Sequence, residues 1–214
     1  MGMGKTIQTI AFVLSLFNRY KIFPFLVIVP NSTLGNWINE FERWAPSLDV
    51  VSYNGSADSR KLIEDYEIFV DRKKGHVKFH VLLTTYECLL IDSHLFKGIK
   101  WQAMILDEGH RLKNDQGLLF NKILDFQVVQ RVILTGTPLQ NNVREILNLL
   151  YFLEPKNFRD REERAKGFEE DLSKENIQEL HEMLRPRMLR RTKDESLTLP
   201  PKVFLENQKF IRIL

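Results

Sequence analysis

The feature that most narrows the fold is Leu26-Val27-Ile28-Val29, an unbroken apolar run stopped by Pro30. A strand with one wet face alternates apolar and polar residues, whereas a strand covered on both faces reads as continuous apolar sequence. Proline then ends it, because it cannot donate to the ladder. Ala103 to Leu106, within the strand candidate Trp101 to Leu106, and Val132 to Leu134, after Arg131, are apolar in the same way, and Val50 to Tyr53 and His80 to Thr84 are two further strand candidates. Between them lie segments with helical periodicity: Ile7 to Phe17, a stretch that starts after Asn31-Ser32-Thr33 and ends near Trp44, and Val143 to Leu153. Strands separated by helices in this way mean βαβ units, hence an α/β fold with a doubly wound, mostly parallel sheet. Such sheets place their chemistry outside the carboxyl ends of the strands.

The residues at those ends are informative. Leu106 is followed by Asp107 and Glu108. Two adjacent carboxylates at a strand end can divide a labour that ATP hydrolysis requires, one holding Mg²⁺ against the phosphates and the other polarising the attacking water. Asp107 is assigned to the metal and Glu108 to the water. An acidic pair alone is usually a solvated surface feature, but here a phosphate loop precedes it. Gly2-Met3-Gly4-Lys5-Thr6 opens the first helix as the second half of such a loop. Gly2 and Gly4 let the backbone approach the phosphates, Lys5 reaches the β/γ oxygens and Thr6 ligates Mg²⁺. The full pattern needs residues ahead of Met1 and a strand to launch the loop, so the chain is expected to begin inside a domain. Met-Gly-x-x-x-Thr also fits an N-myristoylation signal, and Lys5 followed by Ile7 to Phe17 loosely fits a signal peptide. Neither accounts for anything downstream.

Hydroxyl-rich segments close two more strands, Pro30-Asn31-Ser32-Thr33 and Thr84-Thr85-Tyr86-Glu87. They suit phosphate binding at a helix N-terminus and equally suit ordinary capping. Trp37, Phe41 and Trp44 recur at helical spacing and read as core rather than as a platform for bases. Ser56 to Lys78 is a charged, helix-compatible stretch whose Arg72-Lys73-Lys74 reads as a solvated face. A net charge of only +3 does not by itself imply nucleic-acid binding. The single Cys88 excludes an intramolecular disulfide and a cysteine zinc site, and reads as core filler. Past Leu153, Pro155 to Glu175 is charged, and Ile177, Leu180, Met183 and Leu184 then form a helical stripe. Arg185, Arg187, Arg190, Arg191 and Lys193 form a basic cluster, either a solvated tail or a phosphate-facing segment. Leu199-Pro200-Pro201-Lys202 reads as an extended connector.

Taken in order, Gly-Met-Gly-Lys-Thr, Val-Pro-Asn-Ser-Thr-Leu-x-x-Trp, Asp-Glu-Gly-His-Arg-Leu-Lys-Asn, Leu-Thr-Gly-Thr-Pro-Leu-Gln-Asn-Asn, Met-Leu-Arg-Arg-Thr-Lys and Leu-Pro-Pro-Lys resemble the first RecA-like lobe of a SWI/SNF-type, superfamily-two helicase-related ATPase. The resemblance covers essentially the whole chain. Residues 78–87 and 180–186 are most similar to the chromodomain-helicase branch. The resemblance implies a RecA-like P-loop NTPase fold with a helical, basic C-terminal extension: a lobe over 1–154, a family-specific helical insertion over 155–184, and a basic brace and connector over 185–214. It implies ATP and Mg²⁺ as cofactors, Lys5, Thr6, Asp107 and Glu108 in the roles given above, and His110, Thr135, Thr137 and Gln140 coupling nucleotide state to DNA grip. Pro30, Asn31, Ser32, Thr33, Thr84 and Thr85 would touch the sugar–phosphate backbone. The family's sheet also puts the strand before Thr135 between the phosphate-loop strand and the Asp107 strand. The implied whole is a nuclear translocase on double-stranded DNA that moves nucleosomes without unwinding the duplex. It would work with a second RecA-like lobe, in a multisubunit remodelling complex and not at a membrane. Because that second lobe carries the arginines that complete the ATP site, this segment alone is expected to be inactive. Two other readings remain, a non-catalytic nucleotide- or partner-binding domain and a strand-separating helicase lobe. The Arg-Leu-Lys-Asn and Pro-Leu-Gln-Asn-Asn extensions disfavour the second.

Overall fold

The computed structural model describes residues 4–71, 75–112, 117–136, 143–170 and 174–189. In chain order its elements are α1 (Lys5–Tyr20), β1 (Phe25–Val29), α2 (Leu34–Trp44), β2 (Val50–Tyr53), α3 (Ala57–Ile63), β3 (Phe69–Asp71), β4 (His76–Val77), β5 (Val81–Thr85), α4 (Tyr86–Ile91), α5 (Ser93–Lys97), β6 (Trp101–Asp107), α6 (Leu118–Leu124), β7 (Val128–Leu134), α7 (Val143–Leu153), α8 (Arg161–Glu170) and α9 (Lys174–Leu184). The main sheet runs β2-β5-β1-β6-β7 and every pairing in it is parallel.

Every residue of β1 and of β5 is buried, as their lack of alternation requires. Successive side chains still point to opposite faces. Phe25, Val27 and Val29 join Leu83 and Ile105 beneath α1 and α2, where Ile10, Val13 and Phe41 meet them. Leu26, Ile28, Leu82 and Leu106 turn the other way, to Leu89, Phe96, Phe120 and Phe152 of α4 to α7. The result is three layers, with helices on both faces of a parallel sheet. Among the described residues no helix is long and apolar enough to cross a membrane.

Two local expectations need correction. The charged stretch from Ser56 to Lys78 is not one helix: α3 passes into a π-helical turn over Glu64–Ile68 and then into a small antiparallel pair, β3 with β4. Ile68 is fully buried and Phe69 and Val77 pack beside it on the core, so a few apolar residues among many charges decide the path. Arg72-Lys73-Lys74 lie outside the described residues. The turn before α2 is not capped by a hydroxyl either. Asn31–Thr33 form a 3-10 turn without a side-chain cap, and the Thr33 hydroxyl donates back to the Pro30 carbonyl at 3.0 Å.

Helix α7 has two buried flanks. Leu149 and Phe152 face the sheet layer, while Ile146, Leu147 and Leu150 pack against Phe158, Ala165, Phe168 and Leu180 of the helical extension. Arg187, just past α9, closes this extension onto the end of α7. Its guanidinium donates to both Glu154 oxygens at 2.9 Å and to the Met183 carbonyl at 2.8 Å. Arg187 is therefore engaged internally, whereas Arg190, Arg191, Lys193 and the 199–202 connector lie outside the described residues.

Hydrogen bonds from Arg187, with a further one from Asn157, hold the Glu154 carboxyl below its ordinary range against the opposing effect of partial burial. A depressed carboxylate contributes stability above its unfolded value and loses it as pH falls through the folded one. Glu154→Gln should therefore destabilise the fold at neutral pH, and the difference from the native chain should shrink below about pH 4.3, the ordinary glutamate value. Urea midpoints at neutral and acidic pH measure this.

Candidate active site

Strand register aligns the carboxyl ends in one row. Val29 lies opposite Thr85, Tyr53 opposite Thr84, Ile28 opposite Leu106 and Asp107 opposite Leu134. Asn54, Pro30, Tyr86, Glu108 and Thr135 thus leave the sheet along a common edge.

The sharpest exit follows β6. Glu108 has φ 51°, a left-handed conformation costing a side-chain-bearing residue about 1–2 kcal/mol. Gly109 comes next, and a Cβ there would collide with Ile133 Cγ2 on β7. The chain can therefore turn off the sheet in one step while hugging its neighbour, and the turn separates the two carboxylates. Asp107 stays inside at 8% exposure. Glu108 reaches toward α1, where Lys5 Nζ lies 3.4 Å from its Oε1.

Asp107 is held on every side. Its Oδ1 accepts from the Glu108 amide at 3.0 Å, its Oδ2 from the Trp37 indole at 3.0 Å, and its peptide oxygen from the Tyr86 hydroxyl at 2.6 Å. On the opposite bank, Gly4 at φ 73° introduces α1, whose first turn holds no acidic residue and has no side-chain cap. A helix start so arranged turns N–H groups and the positive dipole end toward an anion. Beside it a cleft of about 390 Å³ opens between Gly4, Lys5 and Thr6 and the α2 residues Asn36, Arg43 and Trp44.

These donors fit a magnesium ion shared with phosphates. Mg²⁺ is ordinarily held by one or two carboxylates together with phosphate oxygens and water, and here the Thr6 hydroxyl and the buried Asp107 carboxylate would be the protein's contribution. Each Asp107 oxygen carries one donor, and a carboxylate has about four lone-pair sites, so capacity remains. Among the described residues, no group of three or more His, Cys, Asp or Glu is placed to form an all-protein cage.

The other expected residues are distributed unevenly. Asn31 and Ser32 are exposed on the 3-10 turn, Thr33 is half-buried and Pro30 is buried. Thr84 and Thr85, expected to touch the sugar–phosphate backbone, lie at the buried end of β5, at 0% and 1% exposure. Thr84 donates to the Tyr53 carbonyl at 2.8 Å, and Thr85 caps α4 by accepting from the Cys88 amide at 3.3 Å. Thr135 directly follows β7 beside the acidic pair. His110 belongs to the 3-10 turn Gly109–Leu112, but its side chain, like Gly2, Thr137 and Gln140, lies outside the described residues. Sequence reasoning missed Trp37 and Tyr86. The available signal was chemical: both carry a polar atom that needs a partner once buried.

The model of the SNF2-related domain matches residues 1–208. The chain belongs to the SNF2-related family. This SNF2-related chain is 45% identical over 210 residues to Protein CHROMATIN REMODELING 4 of Arabidopsis thaliana, covering 94% of itself and 9% of that protein. It is 43% identical to the CHD3-type chromatin-remodeling factor PICKLE of the same plant, over 94% of itself and 16% of that protein. With Chromodomain-helicase-DNA-binding protein 1 of Gallus gallus it shares 43% over 95% of itself and 12% of that protein. It thus spans only a small part of each relative. Among solved structures, the Sulfolobus solfataricus SWI2/SNF2 ATPase core in complex with dsDNA superposes with a TM-score of 0.73 at 30% identity, over 90% of this chain and 39% of that one. Membership in this ATPase family carries nucleotide use with it, and the parallel sheet with flanking helices is the family's fold.

The contact between Gly109 and Ile133 gives this SNF2-related domain a measurable weak point. Gly109→Ala should destabilise by about 1–3 kcal/mol through overpacking, and less in an Ile133→Ala background, where the colliding methyl is gone. Denaturant titration of the single and double variants measures the coupling.

Proposed function

We propose that this domain is the ATP-binding and ATP-hydrolysing first lobe of a translocase on double-stranded DNA that remodels nucleosomes, acting with a second RecA-like lobe. The observation that carries the reading is the approach of Lys5 to Glu108 across a sequence separation of 103 residues. It joins a phosphate-type helix start to an acidic strand end. Lys5 and the first amides of α1 bind phosphate oxygens, Thr6 and Asp107 would hold Mg²⁺, and Glu108 orients and accepts a proton from the attacking water. The metal, when bound there, would supply charge neutralisation for the phosphate. The Lys5–Glu108 pair then separates, freeing the ammonium for phosphate and the carboxylate for water.

The chromatin role is supported by the relatives' names, and the duplex by the structural neighbour. Asn31 and Ser32 are the exposed residues of the strand-end turns suited to a sugar–phosphate backbone, which would give affinity with little sequence preference. Thr135, next after Leu134 opposite Asp107, and His110, two residues past Glu108, couple the acidic pair to DNA, together with Thr137 and Gln140. We assign residues 1–154 to the lobe, 155–184 to a helical insertion and 185–214 to a brace toward the second lobe, within a nuclear, multisubunit remodeller.

The two carboxylates are separable in the full-length protein. Glu108→Gln should keep MgATP binding while hydrolysis falls by roughly 10² to 10⁴, the range for a lost general base. Asp107→Asn should lower both, because it removes a charge from the metal's coordination sphere. Fluorescent-nucleotide binding and ATPase rates with naked duplex, single strands and nucleosomes provide the readout. Equal loss of affinity in both variants would refute the division of roles, and stimulation by single strands alone would favour a strand-separating helicase.

A further inference from the structure

We infer that Trp37 is a positioning residue for the metal carboxylate, its indole fixing the rotation of Asp107 from the first turn of α2. The inference rests on the reading of Asp107 given above. Trp37 is 1% exposed, and its Nε1–H is the only polar atom of the side chain. That donor ends on Asp107 Oδ2 at 3.0 Å, across a separation of 70 residues. The ring cannot follow a wandering carboxylate. It is packed among Ile10, Val13 and Phe41, with its centroid 6.1 Å from that of Phe41. The Glu108 amide pins the other carboxylate oxygen at 3.0 Å, and Tyr86 pins the Asp107 peptide at 2.6 Å. The carboxylate is thereby held in one rotation before any metal arrives. Groups that orient a metal ligand in this way commonly contribute 10- to 100-fold in metal affinity.

The same bond ties the metal carboxylate to the helix that begins right after the exposed Asn31-Ser32 turn, because Trp37 lies one turn into α2. A shift of that turn therefore reaches Asp107 through one rigid side chain.

The test uses Trp37→Phe, which keeps an aromatic ring and deletes the donor, in the full-length protein. The quantity measured is the gain in affinity for a fluorescent ATP analogue that Mg²⁺ confers, taken as the ratio of Kd in excess chelator to Kd at saturating Mg²⁺. It should fall by about 10-fold or more, with affinity for the metal-free nucleotide little changed. In an Asp107→Asn background the same substitution should produce no further loss, since an indole acting through the carboxylate has nothing left to position. An unchanged gain in Trp37→Phe, or an equal loss in both backgrounds, overturns the inference and makes the indole packing alone. If Asp107→Asn itself leaves the gain unaltered, the assignment of Asp107 to the metal fails and the inference goes with it. Should Trp37→Phe lose its fold, as judged by circular dichroism, the same criteria apply to 3-benzothienylalanine at position 37. That residue preserves the bicyclic shape and puts sulfur in place of the N–H.

Discussion

A parallel sheet whose central strands are apolar on both faces cannot leave either face in water, and the rest of this molecule follows from that. The strands β1 and β5 are apolar on both sides, so α1 and α2 must cover one face and α4 to α7 the other. Parallel pairing also requires each strand to return over the sheet before pairing again, which brings every strand to the same edge to end. The chemistry collects there for geometric reasons. Asp107, Thr135 and the turn after β1 are distant in sequence and close in space because their strands are in register.

The edge also explains why a buried charge is tolerable. A carboxylate removed from water is costly unless it is hydrogen-bonded, and Asp107 receives one donor on each oxygen. The donors come from different layers: an indole on α2 and an amide in the turn after β6. Tyr86, at the start of α4, holds the peptide of the same residue from the opposite face. Helices on both sides of the sheet therefore converge on one side chain, a consequence of the covering that the ladder demands.

How much of this was legible beforehand depended on whether the cause was local. Leu26 to Val29 announced a doubly covered strand because the pattern needs no partner to be read, and Val143 to Leu153 appears as a helix over those same residues. The phosphate-type start at Gly4-Lys5-Thr6 and the acidic pair were readable as motifs, and the fold brings them together. What escaped depended on contacts between distant residues. The hydroxyls of Thr84 and Thr85 were placed at a strand end by the pattern, but their partners, the Tyr53 carbonyl and the Cys88 amide, are set by the packing of β5 against β2 and α4. Trp37 was read correctly as core, but its nitrogen's destination is set by a residue 70 positions away. The β3–β4 pair was hidden because Ile68, Phe69 and Val77 are too few among charges to show a period.

Glu108 shows what this arrangement asks of the backbone. Its left-handed conformation is one that glycine adopts freely and glutamate only at a standing penalty. A chain chosen for thermal robustness alone would carry glycine at position 108, or asparagine, and would lose the carboxylate that faces Lys5. The backbone at position 108 thus favours one residue and the contact with Lys5 another, and laboratory selection for heat resistance without a demand for turnover would press against the glutamate here.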